Sequence, residues 1–266
     1  MPPTRRTRLI LLISVLLTLS PVIARAQDED GGVTYTRGEE LLESIYVPNL
    51  TNAPFSLTLA TEWSRPMQNG GTYTIVNSRP IRRDSAGRIY MERWLLSPKG
   101  SNIPSQMSWI QIEDPVAHAY YECSAFRHIC ELTTVRSFST KRYDPAAFKS
   151  GPFNNGKGSR THEDLGAQFF AGVAVHEYRD TTNINAGALG NDLAMTTVRD
   201  FRYSPELGIN LMSVLDTPQV GRQSFTVTEI STTEPDSKFF QPPDGYKIVD
   251  HRTPPANVQP NNPNPH

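Results

Sequence analysis

Phe55-Ser56-Leu57-Thr58-Leu59-Ala60-Thr61-Glu62-Trp63 is the stretch that decides the fold. Its period of two puts Phe55, Leu57, Leu59 and Trp63 on one side and Ser, Thr, Ala and Glu on the other. That is the pattern of a β-strand with one face on a core and one in water. Similar signals follow at 72–76, then at a hairpin through Asp84-Ser85-Ala86-Gly87 that returns as 89–96. Further candidates are 109–113, 118–123 and 130–135, with Asp114-Pro115 breaking the first two apart. A second series covers 168–171, 173–180, 193–203, 209–215 and 224–231. Ser204-Pro205-Glu206-Leu207-Gly208 serves as a turn, with Pro fixing φ and Gly permitting positive φ. No βαβ spacing intervenes, so the expectation is a mainly β chain with a single antiparallel sheet built from meanders.

Outward from these strands, the N-terminus carries Arg5, Arg6 and Arg8, an apolar run from Leu9 to Leu19, and Ala24-Arg25-Ala26. This reads as a signal peptide over 1–26, cut between Ala26 and Gln27. The run is broken by Ser14, Thr18, Ser20 and Pro21, short of the about 20 apolar residues of a membrane anchor, and no Cys stands at the cut for lipid attachment. No membrane span is expected after cleavage, and the location is periplasmic or secreted. Residues 27–50 read as a polar linker with a short helix candidate at 38–45. The β domain spans 51–250 and includes a long loop at 141–163 that lacks any apolar period. Residues 251–266 form a Pro/Asn-rich tail with nothing to bury.

Composition narrows the function. The chain has 26 basic and 27 acidic residues, and four of the basic ones fall within the leader, leaving 22 against 27 and a net charge of −5. Such a balance does not attract nucleic acid. The 37% hydrophobic content and 22 Pro favour short strands and many turns over long helices.

Cys123 and Cys130 are flanked by strand-like residues, at the end of one expected strand and the start of the next. In an oxidising compartment such a pair most simply forms a disulfide that closes a hairpin. A zinc site would need four ligands, and His128 between the pair has no second pair to join; a redox role would prefer Cys-x-x-Cys.

Other motifs fail on chemistry. Gly151-x-x-x-x-Gly156-Lys157 copies the start of a phosphate-binding loop, but Gly158 stands where a Mg²⁺-binding Ser or Thr belongs and no amphipathic helix follows. No Gly-x-Ser-x-Gly and no Ser-x-x-Lys occurs. His118, His128, His162, His176, His251 and His266 are scattered singly, and neither His-Glu pair continues to a second His as a zincin requires. His176 is expected on a strand beside Tyr178 in a structural role. Asp114, Asp164, Asp192 and Glu206 fall at expected turns, where carboxylates usually cap backbone. A spatial glycosidase pair stays open, because its spacing is invisible in sequence. Tyr120-Tyr121, Phe169-Phe170 and Phe239-Phe240, if in strands, send one ring to each face. Either one ring of each pair packs in a core, or both faces of the sheet are covered.

The order Glu163-Asp164-Leu165-Gly166, Phe170-Ala171-Gly172-Val173, Tyr178-Arg179-Asp180-Thr181, Arg199-Asp200-Phe201-Arg202-Tyr203, and the closing Phe239-Phe240-Gln241-Pro242-Pro243-Asp244-Gly245-Tyr246 resembles a group of uncharacterised secreted bacterial proteins. More remotely it is similar to outer-membrane lipoprotein carriers of the LolA/LolB type and to RseB-like sensor domains. The likeness spans roughly 85–250. It implies an antiparallel sheet curled into a half-barrel whose concave face takes acyl chains under helices, although this chain offers few helices for such a lid. It carries over no catalytic residue. The leading expectation is a non-enzymatic exported protein, without cofactor or metal, that binds an apolar or amphiphilic ligand on the concave face. The alternative is an envelope interaction or sensor module using the 141–163 loop and exposed strand edges; a hydrolase with an unrecognised site is the third.

Overall fold

The computed structural model describes residues 45–135 and 138–252, together with the backbone of two short strands. Those strands, β1 (Tyr35–Thr36) and β2 (Glu39–Glu40), pair antiparallel in a unit of their own. Glu39–Glu40 are thus strand where the pattern suggested a helix; a nearby β-prone Tyr-Thr partner outweighs the helix preference of Glu. The leader, its Ala26/Gln27 cleavage site and the tail from residue 253 lie outside the described residues.

The rest is one sheet of 14 strands, open and curved rather than closed. In chain order these are β3 (Phe55–Pro66), β4 (Thr72–Arg83), β5 (Ile89–Trp94), β6 (Ser97–Pro98), β7 (Met107–Asp114), β8 (Ala119–Ser124) and β9 (Ile129–Thr134). They continue as β10 (Gly151–Pro152), β11 (Gly158–Phe170), β12 (Val173–Ile184), β13 (Met195–Ser204), β14 (Ile209–Thr217), β15 (Gly221–Ser231) and β16 (Lys247–Asp250). Across the sheet the order is β10-β11-β12-β13-β14-β15-β3-β4-β5-β7-β8-β9-β16, with β6 pairing on β4. Residues 168–170 are therefore only the end of a long strand, and the other expected strands all lie on observed ones.

Register fixes what each face carries. Phe55 lies opposite Arg83, Leu57 opposite Ile81 and Leu59 opposite Arg79. Toward the other side, Val227 faces Leu59, Ser213 faces Phe225, Phe201 faces Ser213, and Tyr178 faces Phe201. Phe55, Leu59, Ile81, Leu211 and Phe201 on this face are fully buried. Pro48, Asn49, Leu50 and Ala53 are also buried, so the compact unit begins before residue 51 and the end of the expected linker belongs to the core.

On the far strands the buried face changes. Ile89 and Tyr90 are adjacent on β5 and both buried, one against each face. Beyond them Ile110, Ile112, Cys123 and Cys130 form a second core with Tyr90 and Phe240, on the side opposite to Ile89. Both faces of this one sheet are therefore used, each over a different half.

A segment after β15 covers the second core. Glu234 accepts from Ser85 N (3.1 Å) and Oγ at the β4–β5 turn, and Asp236 caps a 3-10 turn over Ser237–Phe240 by accepting from Lys238 N. Arg82 lies over the Phe239 ring at 3.9 Å and Arg88 over Phe240 at 4.9 Å. Because these rings sit on a 3-10 turn and not on a strand, Phe239 and Phe240 pack into the same core rather than to opposite faces. The chain then returns as β16, parallel to β9, which departs from the expected all-antiparallel sheet. A parallel neighbour needs a crossover connection, and the covering segment supplies it.

The expected loop at 141–163 is also corrected, since much of it is ordered structure. It contains a 3-10 turn (Pro145–Ala147), β10, another 3-10 turn (Asn154–Gly156) and the first six residues of β11. The apolar period missed this strand because polar groups occupy both its faces. At Gly158 there is no room for a side chain, since a Cβ would stand 2.0 Å from the Asn183 carbonyl oxygen. The Gly151–Lys157 match thus runs from a strand and a 3-10 turn into a strand, with no helix N-terminus to receive phosphate.

Candidate functional site

The side chains that converge outside the two cores lie at the β11 end of the sheet, where segment 139–150 crosses the Phe55 face. Asn49 N donates to Ser139 O (2.7 Å), and Tyr46 Oη donates to Lys141 O. Arg142 Nη1 donates to Glu206 O (2.9 Å) and to Pro205 O. Tyr143 meets Phe201 and Tyr203 edge-on, with ring centroids 6.1 and 5.9 Å away. Desolvation pushes the Tyr143 phenol above its ordinary range.

Beneath this segment, cross-strand pairing aligns a row of rings. His162 on β11 stacks on Tyr178 of β12 (5.3 Å), which stacks on Phe201 of β13 (5.3 Å). His162 Nδ1 is 2.6 Å from Asp180 Oδ1, and both side chains are largely buried. The Phe148 ring lies 5.9 Å from the imidazole, and Arg160 covers Phe148 and Phe153. Ser150 Oγ accepts from the backbone N of His162 (2.7 Å) and not from the ring. The arrangement orients an imidazole without presenting a hydroxyl to it; it fastens the crossing segment to the sheet.

The outer side of β11 is the second element. β10 pairs only with Ser159 and Arg160, and Ser150 serves His162. Among the described residues no strand pairs with β11 beyond that point on this side. His162 turns its N–H outward, and antiparallel alternation turns that of Asp164 outward too. The bulge at Leu165, with Gly166 at φ 96° and its N–H on Asp164 Oδ1 (2.8 Å), shifts the count by one. Ala167 and Phe169 therefore offer their backbone groups to the open side. Glu163, Asp164 and the bulge guard the middle of the edge, while Gly166–Phe170 carries no charge and Phe169 is 78% exposed.

Of the residues singled out from sequence, His162, His176, Asp164 and Phe169 lie here, with Asp164 on a strand beside the bulge and not at a turn, and the others lie elsewhere. Cys123 and Cys130 face one another across β8 and β9, joined by a disulfide, within the second core. His118 lies near Phe138, His128 beside Tyr246, and His251 on Glu131. His176 stacks on Tyr178 as expected, and Asp114 caps Val116 N and Ala117 N. Among the described residues no three His, Cys, Asp or Glu side chains are grouped to hold a metal ion. Likewise, none of the helices there is long and apolar enough to cross a membrane. The His162–Asp180 pair went unread although its signal exists: a hairpin centred on Ala171-Gly172 with one bulge brings those two numbers opposite each other.

No family model matches the chain, and no curated protein matches it. Among solved structures it is remotely similar to MucB of Pseudomonas aeruginosa, in a complex with MucA, at 13% identity and a TM-score of 0.38. That match covers 74% of this chain and 58% of the other, so the chain spans less than two thirds of that protein's length. It is also similar to LprF from Mycobacterium bovis, at 12% identity over 69% of this chain and 89% of that one, with a TM-score of 0.26. A putative outer-membrane lipoprotein-sorting protein domain from Vibrio parahaemolyticus matches at 10% identity, over 70% and 90% of the two chains, with a TM-score of 0.17.

Proposed function

We propose that this chain is an exported binding protein, processed between Ala26 and Gln27, that takes an extended segment of another envelope protein onto the open edge of β11. The observation that carries this reading is the uncharged edge Gly166–Phe170, with Phe169 78% exposed beside it. An added strand would gain backbone hydrogen bonds at Ala167 and Phe169 and an apolar contact on the Phe169 ring. Exposed Glu163 and Asp164 at the guarded end favour a basic residue on the incoming strand. The apolar-ligand reading has less support, because segments 48–53 and 139–148 already lie over the Phe55 face. The leader composition and the buried disulfide favour the periplasm or the exterior as the location.

A photo-crosslinking residue at position 169, compared with one at exposed Val116, tests this in the native envelope. A discrete protein adduct at 169 alone is expected, and Ala167→Pro should abolish it by removing an outward N–H. Equal labelling at both positions, or none, counts against edge binding. Saturable uptake of a fluorescent fatty acid would favour the ligand reading instead.

A further inference from the structure

Strand connections alternate between the two rims of the sheet, and the rims differ. On one rim lie the connections 67–71, 95–106, 125–128, 185–194 and 218–220. Each of these five exposes a large apolar side chain, Met67 (44%), Ile103 (63%), Phe126 (63%), Leu189 and Leu193 (64% and 73%), and Val220 (40%), whereas 153–157 on the same rim exposes Lys157 instead. The opposite rim has tight turns at 84–88, 115–118, 171–172 and 205–208, where Val116 is exposed, Phe169 flanks the 171–172 turn and Leu207 is turned into the core.

The first rim also carries a small excess of basic residues. The first rim, taken as residues 62–74, 95–106, 124–129, 156–158, 185–195, 216–222 and 243–247, holds six Lys or Arg against four Asp or Glu, in a chain where acids outnumber bases. Two of those acids are paired within the rim, Glu62 with Lys99 and Asp216 with Arg222. Arg127, Lys157 and Lys247 stand exposed among the apolar tips. At the opposite rim Asp84, Glu113, Asp114, Glu206, Glu234 and Asp236 stand among Arg82, Arg83, Arg88, Arg142 and Lys238, with Asp84 paired to Arg88 and Asp236 to Lys238.

We infer that the rim bearing Met67, Ile103, Phe126, Leu193 and Val220 docks on the surface of an anionic lipid bilayer. The apolar groups are spread over five separate connections between strands. They suit an interface into which each tip inserts independently while neighbouring Lys and Arg meet lipid phosphates. This surface does not use the β11 edge, and the two readings stand or fall separately.

The test is flotation of the full chain with vesicles of phosphatidylcholine alone or mixed with phosphatidylglycerol, combined with amide exchange. Binding to the anionic vesicles is expected, weakened by salt, with amides in 100–104, 125–128 and 186–193 protected. A triple Ile103→Ser, Phe126→Ser, Leu193→Ser variant changes only exposed positions and should lose affinity about tenfold or more. Val116→Ser, an exposed change on the opposite rim, should bind as the unaltered chain does. Equal binding by the triple variant, protection confined to residues outside these tips, or no preference for the anionic vesicles overturns the inference. Capture of a protein by the tips with no vesicle binding does so as well.

Discussion

Arg83 Nη2 donates to the carbonyl oxygen of Leu207 at 2.6 Å, tying the end of β4 to the β13–β14 turn 124 residues later. Its Nε serves Ala53 O (2.9 Å) and its Nη1 serves Pro48 O (2.8 Å), so one fully buried guanidinium satisfies three carbonyls from separate segments. Burial lowers its pKa to about 10, with Arg142 adding to the effect, so it stays charged at neutral pH. Arg83→Met should orphan all three acceptors and cost about 3–5 kcal/mol. Arg83→Lys should recover little, because one ammonium cannot reproduce the planar fork. Urea denaturation checks both.

At the β11–β12 hairpin, Ala171 (φ 49°) and Gly172 (φ 81°) both take positive φ, the pattern of a type I′ turn. Alanine is strained there. Ala171→Gly or Ala171→Asn should raise stability by about 1 kcal/mol, and Ala171→Val should lower it, both read by denaturant midpoint.

The Cys123–Cys130 bond closes a short loop within the second core. Reduction should cost about 2–3 kcal/mol. Amide protection should fall first around β8, β9 and β16 and persist on β12–β14, a contrast that exchange with and without dithiothreitol measures.

Desolvation raises the pKa of Glu113, against the opposing pull of the Asn49 hydrogen bond and Arg93. The folded chain therefore holds this proton more tightly than the unfolded one. Its contribution to stability is complete below the ordinary carboxylate range and is lost as pH rises through the folded value. Glu113→Gln keeps an acceptor for Asn49 Nδ2 and removes the charge. The variant should melt higher than the unaltered protein at neutral pH, with the gap closing below about pH 4.

Tyr143 fastens segment 139–150 through Phe201 and Tyr203. Tyr143→Ala should loosen it and expose Lys141, Arg142 and Lys149 to trypsin. Cleavage should accelerate roughly tenfold, as for a local opening made about 1.4 kcal/mol easier, while the global denaturation midpoint moves little.

Much of the sheet was legible because its strands bury one face: Phe55 to Trp63, Ile209 to Leu215 and the turn at Asp84-Gly87 announce themselves by period and turn chemistry. Gly158–Glu163 was not legible, since a strand polar on both sides has no apolar period. Lys247–Asp250 was hidden for another reason, because its partner β9 is set by how the covering segment crosses the second core. Of the candidate site, the break at Gly172 between two expected strands was in view, but His162, Asp180 and Tyr143 join only through register and a segment folded back over it.

The sequence by itself determined a mainly β chain, a cysteine pair suited to a hairpin and the places of most turns, because these depend on neighbours along the chain. Tertiary structure alone decided that the sheet buries opposite faces in its two halves, that Arg83 links three distant carbonyls, that β11 keeps an open edge, and that the apolar tips share one rim. Each depends on which strand lies beside which, and alternation along a single strand holds no record of its neighbours.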